Sequence, residues 1–156
     1  MNAIVKIVKA SLVLAGLVFS GTLYGAGTET TPVELPRLPE LVAGKAAIEA
    51  KDWKKAIDNL SLAAAREPAN ADIQNFLGYA NRKSGNLEAA FKHYNEALKL
   101  DPKHRGAHEY IGEAYLMAGN LAKAEEHLAA LDKLCLFSCE EYRDLKKSIA
   151  DYKAKK

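Results

Sequence analysis

The stretch ADIQNFLGYANRKSGNLEAAFKHYNEALKLDPKH, residues 71–104, decides the fold. Its first half carries Ile73, Phe76, Leu77 and Ala80 at helical spacing, the pattern of one apolar helix face. Gly85-Asn86 breaks the period. Glycine enters the left-handed backbone region that ends a helix without a Cβ clash. A second face follows, with Phe91, Tyr94, Ala97 and Leu98. Pro102 closes it, because proline has no amide to donate and restricts the residue before it. The stretch predicts two antiparallel helices, A and B, joined by a tight turn.

The same pattern stands on either side. Going back about 34 residues from Gly78, Ala90, Ala97 and Pro102 gives Gly44, Ala56, Ala63 and Pro68. Going forward gives Gly112, Ala124, Leu131 and Leu136. Leu77 matches Ala43 and Ile111, and Tyr94 matches Leu60 and Leu128. The register runs without insertion over 37–70, 71–104 and 105–138. The small residues predict close pairing. Gly78 on A and Ala90 on B let the two backbones approach, with Phe91 and Tyr94 interlocking around them.

These landmarks resemble the tetratricopeptide repeat. The match lies in L-G-x-x-N at Leu77 to Asn81, with Gly85, Ala90, Tyr94, Ala97 and Pro102. The third unit supplies I-G-x-x-Y at Ile111 to Tyr115, with Gly119 and Ala124; the first supplies A-G-x-x-A at Ala43 to Ala47, with Trp53, Ala56, Ala63 and Pro68. The resemblance implies an all-α, right-handed α-solenoid of three helix-turn-helix repeats that holds another protein. Glu40, Gln74 and His108 stand where the family often has tryptophan, and Lys51 replaces the turn glycine of the first unit. Leu131 and Leu136 replace the alanine and proline that end the third, so its last turn must be held another way. One subclass of the family grips a C-terminal carboxylate with a lysine–asparagine clamp. Leu41, Lys45, Tyr79, Gly106 and Tyr110 stand at the corresponding places, so only one lysine of that clamp remains.

Residues 1–27 read as a secretory signal peptide. Lys6 and Lys9 form a basic start, Ala10 to Phe19 an apolar run, and Ser20 to Gly27 a small-residue tail. The rival reading is an uncleaved inner-membrane anchor, for which the uncharged run is barely long enough. The chain's formal net charge is +2 and those two lysines supply it, leaving residues 28–156 neutral with interleaved signs. That gives no electrostatic case for a nucleic-acid partner. Residues 28–38, with threonines, Pro32 and Pro36, read as a flexible linker. Residues 139–156 read as a C-terminal capping helix, with Tyr142, Leu145, Ile149 and Tyr152 on one stripe over the end of the third unit.

Cys135 and Cys139 are the only cysteines. In an oxidising compartment such a pair closes a disulfide, here across a turn that lacks its proline. The alternative is two thiols on one continuous helix, where a bridge would be strained. No further ligands accompany them, so no metal is expected; without C-x-x-C-H, covalent haem is not indicated. His104 and His108 straddle the loop between units and read as solvated loop histidines. His93 and His127, equivalent positions of two B helices, are expected to be exposed. No nucleophile–base pair, acidic dyad or phosphate loop is present. The sequence therefore points away from an enzyme, a cofactor and a small-molecule substrate.

The concave face of the A helices is the expected site. By repeat phase it carries Leu41, Lys45, Ile48 and Glu49, then Asn75, Tyr79, Arg82 and Lys83, then Glu109, Glu113, Leu116 and Met117. Lys45, Asn75, Tyr79, Arg82, Lys83, Glu109, Glu113 and Leu116 are the expected partner-binding residues, because Tyr79 and Leu116 would otherwise be exposed to no purpose. An extended segment or helix of another protein is the expected partner, with acid opposite Arg82 and Lys83. The whole reads as a protein–protein interaction module of the bacterial envelope, exported to the periplasm. The alternative is a self-associating structural subunit of an envelope complex.

Overall fold

The computed structural model describes residues 38–155. The leader expected over 1–27 and the linker expected over 28–38, except Leu38, lie outside the described residues. Within them run α1 (Pro39–Glu49), α2 (Trp53–Arg66), α3 (Ala71–Lys83), α4 (Leu87–Leu100), α5 (Arg105–Met117), α6 (Leu121–Leu134) and α7 (Glu140–Ala154). The architecture is an all-α repeat solenoid: α1 and α2, α3 and α4, and α5 and α6 pair, and each pair packs on the next. Among the described residues no helix is long and apolar enough to cross a membrane.

Short polar residues start four of these helices. Asp52, Asn70, Asn86 and Asn120 accept side-chain hydrogen bonds from the amides of Lys55, Ile73, Ala89 and Lys123. Each satisfies one orphan amide of a first turn. Asn86 thus belongs to the helix after the turn as much as to the turn itself. Gly85 and Gly119 take φ of 90° and 78°. Lys51 holds the equivalent turn at φ 57° without being glycine. Its amide donates to Ile48 O at 2.9 Å, so the turn forms despite the Cβ. Lys51→Gly should raise stability by about 0.5–1 kcal/mol, the relief of a left-handed side-chain residue less glycine's greater freedom when unfolded. Denaturant unfolding with an unchanged slope would measure it.

The notches that glycine opens are filled from the neighbouring helix. A Cβ on Gly44 would meet Leu60 Cγ at 2.7 Å, and one on Gly78 would meet the Tyr94 ring at 2.5 Å. At Gly112 the filler is Leu145 of α7, at 2.6 Å. Tyr94 does interlock at Gly78, but Phe91 turns to the next unit and packs on Tyr115, with centroids 4.7 Å apart.

Helix α7 closes the row. Leu145 and Ile149 are buried with Leu116, Ala124 and Leu131, and Tyr142 and Tyr152 flank them. Lys153 ties α7 to Glu125 of α6 at 2.6 Å. Between α6 and α7 the chain turns rather than running on as one helix. Cys135 and Cys139 face each other there, with Cα atoms 5.5 Å apart, a span that a disulfide bridges. Ser138 adopts φ 40°, and its carbonyl accepts from Arg143 Nη1 at 2.7 Å. Leu136 and Phe137, on this turn, are 92% and 96% exposed.

Candidate functional site

Helices α1, α3, α5 and α7 share one side of the solenoid, and Arg82 on α3 is its centre. The guanidinium is 7% exposed. Its Nη2 lies 2.7 Å from Glu113 Oε2, and its Nε donates to Tyr94 Oη at 3.3 Å. The rings of Tyr79 and Tyr110 each sit 5.5 Å from it. Burial works against the Arg82 charge, but Tyr94, Glu113 and Tyr79 outweigh it and hold its pKa up. Arg82 is therefore a structural cation joining two units, not an open contact.

The tyrosines form a row across the seams. Trp53 meets Tyr79 at 6.2 Å, Tyr79 meets Tyr110 at 5.0 Å, and Tyr110 meets Tyr94 at 6.5 Å. Burial pushes the Tyr94 hydroxyl well above its usual range and Tyr110 up to about 12. Tyr79 is thus half-buried in a stack. Lys83 lies over it at 5.6 Å, and Lys45 lies over Phe76 at 5.2 Å; both lysines are exposed.

Several expected positions sit deeper than repeat phase implied. Leu116 is 8% exposed, because α7 covers it. Asn75 and Glu109 are buried as well. Glu113 stays half-buried and accepts from Ser148 Oγ of α7 at 3.2 Å. Of the expected positions on α5, Met117 alone stands well out, at 56%. The exposure expected of Arg82 and Leu116 is corrected accordingly. Helix α7 is a fourth A-type helix and supplies a wall. Arg82, Glu113, Leu116, Met117, Ser148 and Tyr152 line one cleft of about 360 Å³ along it. A second, of about 270 Å³, lies at its other end, between Asn75, Glu109 and Asp144. Residue 139 directly follows the third unit, 105–138, so the last helix falls in phase as the A helix of a fourth, which is the sequence signal that α7 shares this face.

The histidines are also more engaged than expected. His104 caps α5, its Nδ1 accepting from the Ala107 amide at 3.1 Å, and its Nε2 lies 3.0 Å from Asp72 Oδ1. His93 meets Gln74 at 2.8 Å and His127 meets His108 at 2.9 Å, so neither is the free surface group expected of it. His127 also stacks on Tyr115 at 5.7 Å. Among the described residues no group of three or more His, Cys, Asp or Glu is placed to hold a metal ion.

Buried groups set pH dependences of opposite sign: burial lowers His93 and His127 and raises Glu109. Burial and the neighbouring His108 push His127 down from 6.5 to about 4. The unfolded chain therefore protonates first, and stability falls as pH drops from 6.5 towards 4. Burial, then the charges of Glu113, Asp144 and Glu141, push Glu109 up from 4.5 to about 8, with Arg82 opposing. Folded Glu109 keeps a proton that the unfolded chain releases. Its contribution is full below 4.5 and is lost as pH rises through 8. Between pH 6.5 and 8 only Glu109 of these acts, so the melting temperature should decline there. Glu109→Gln, a mimic of the protonated acid, should flatten the decline and stabilise the alkaline form by a few kcal/mol, at about 1.4 kcal/mol per unit of pKa shift. Thermal melts across this range check both.

Models of the tetratricopeptide repeat match residues 41–105 and 81–149, together spanning all but the two ends of the described chain. The chain belongs to the tetratricopeptide repeat family. Solved structures agree with that membership. The TPR2B domain of yeast Sti1, in a complex with pHsp70, superposes with a TM-score of 0.69 at 19% identity, covering 75% of this chain and 95% of that one. The Sgt2 TPR domain of Aspergillus fumigatus gives 0.66 at 25% identity, over 74% and 76% of the two chains. The Yersinia enterocolitica type III secretion chaperone SycD, in complex with a peptide of the translocator YopD, gives 0.64 at 17% identity, over 74% and 91%. No curated protein matches the sequence.

Proposed function

We propose that this repeat protein is a non-catalytic adaptor of the bacterial cell envelope, exported by its first 27 residues, that holds a segment of another protein along α1, α3, α5 and α7. The observation that carries the reading is the pair of clefts along α7, each lined jointly by α3, α5 and α7. A seam of this kind offers a segment several units at once. Exposed Lys45, Lys83 and Met117 stand on the same side as half-buried Tyr79. The likeness to SycD, whose structure holds a translocator peptide, supports a segment of another protein as the partner. A disulfide between Cys135 and Cys139 fits this oxidising location.

Cross-linking in the cell envelope followed by mass spectrometry tests the reading. Intact mass should show loss of roughly the first 20–27 residues. A single protein should cross-link, and Lys83→Glu with Met117→Glu should weaken its binding by about 1–2 kcal/mol, roughly tenfold, without changing the melting temperature. Lys92→Glu, exposed on α4, is the control. Loss of binding in the control with retention in the α3 and α5 variants would place the partner on the other side. A self-assembling subunit is the second reading, favoured by Leu136 and Phe137 in solvent. Size-exclusion chromatography over a concentration series separates the two.

A further inference from the structure

The fold gathers acids that lie far apart in sequence. Glu109 on α5 and Glu140, Glu141 and Asp144 on α7 line the 270 Å³ cleft together with Asn75, Phe76, Gly106 and Tyr110. No lysine or arginine is among the lining residues. The nearest cations, Lys45 over Phe76 among them, are engaged elsewhere or at the edge. Arg82 is paired with Glu113, and half-exposed Arg105 reaches Glu141 only at 3.5 Å.

An acid-rich cleft alone is ordinary at the start of a helix such as α7, where carboxylates suit the dipole. Asn75 is the independent observation. It is 5% exposed, and its Oδ1 is buried with no hydrogen-bond partner. A buried carbonyl oxygen left without a donor is destabilising, because it has lost its water and gained no partner. Gly106 lines the same cleft beside it: a Cβ there would stand 3.3 Å from Asn75 Nδ2. The orphan acceptor, the carboxylates and the two rings ask for one kind of guest, a donor-rich cation on an apolar stem. Phe76 and Tyr110 already carry the chain's own cations, Lys45 at 5.2 Å and Arg82 at 5.5 Å.

We infer that this cleft receives a lysine or arginine side chain of the bound protein segment, its donors meeting Asn75 Oδ1 and the carboxylates of Glu109 and Asp144. The inference rests on the reading of this face as a peptide-binding surface. It reverses the expectation of an acidic partner at this end of the face, because Arg82 is already neutralised from within. It also accounts for the proton on Glu109. Glu113, Asp144 and Glu141 crowd that carboxyl from α5 and α7, and Arg82 on α3 opposes them. A guest cation supplies the missing charge, and Glu109 releases its proton to solvent on binding.

The test is an NMR titration of the ¹⁵N-labelled full chain with acetylated, amidated Ala-Arg-Ala, Ala-Lys-Ala, Ala-Gln-Ala and Ala-Glu-Ala. The basic probes should saturate shifts of the Asn75 side-chain amide and the Gly106 amide, and bind about tenfold more tightly than the glutamine probe. Their affinity should rise about tenfold from about pH 6 to about pH 9, as Glu109 ionises. Glu109→Gln should abolish that rise, and Asp144→Asn, on an exposed position of α7, should weaken binding several-fold. Equal binding of the arginine and glutamine probes, or tightening on acidification, overturns the inference. If uncharged or acidic probes still shift Lys83 and Met117, the peptide-binding face stands and the cation cleft alone falls. If no probe shifts either region, both fall.

Discussion

Gly78→Leu is expected to cost about 3 kcal/mol or more, the upper end of what overpacking a core does. The first added carbon would already stand 2.5 Å from Tyr94 Cδ1 and Cε1, before the rest of the leucine is placed. Tyr94 cannot yield cheaply. It is wholly buried, and its hydroxyl accepts from Arg82 Nε. Moving the ring therefore disturbs the cation that also holds Glu113 of the next unit. In a row of units stabilised by their neighbours, such a loss spreads. The melting temperature should drop by roughly 10 °C or more, at a few degrees per kcal/mol for a domain of this size. An unchanged melting curve would mean that α3 and α4 do not meet at Gly78.

Arg82→Ala should be comparably severe, about 3 kcal/mol. The substitution strands Glu113 and removes the cation that restrains Glu109. Solvent reaches part of Glu113, 25% of whose side chain is exposed, which keeps the loss at the low end of the range for a broken buried pair. The double variant Arg82→Met with Glu113→Leu separates charge from packing. If the stranded carboxylate causes the loss, the second change should restore much of it, and the two will not add. Additive losses in urea titrations would show instead that Arg82 acts through its packing on Tyr79 and Tyr110.

The residues that made the fold legible are those whose backbone role is fixed by their own chemistry. Gly44, Gly78 and Gly112 recur because a neighbouring side chain fills the space where each lacks one. The turn after α1 was legible in spite of Lys51, since the register on both sides placed it. Side-chain burial was harder to read. Arg82 and Glu109 fall on the open side of α3 and α5 by phase; the tyrosines and Glu113 enclose the first, and the acids of α7 stand against the second. A clue to the histidines did exist. Gln74 and His93 are 19 residues apart, as are His108 and His127, so one A-to-B contact repeats in both units. Reading each histidine by itself hid that pair. The charge of the α7 end was visible as a run of acids, but its proximity to the orphan oxygen of Asn75 was not.

The edge-on contact of Trp53 with Tyr79 has an optical consequence. Trp53 is the only tryptophan in the chain, and it sits where the first unit meets the second, 6.2 Å from the tyrosine ring. Tyrosine excitation therefore drains into a single emitter at one seam. Intrinsic fluorescence reports the detachment of α1 and α2 and is almost blind to the peeling of α7 at the far end. Circular dichroism averages over every helix. Where the two signals part company during denaturation, the solenoid is coming undone from one end, and their order of change names which.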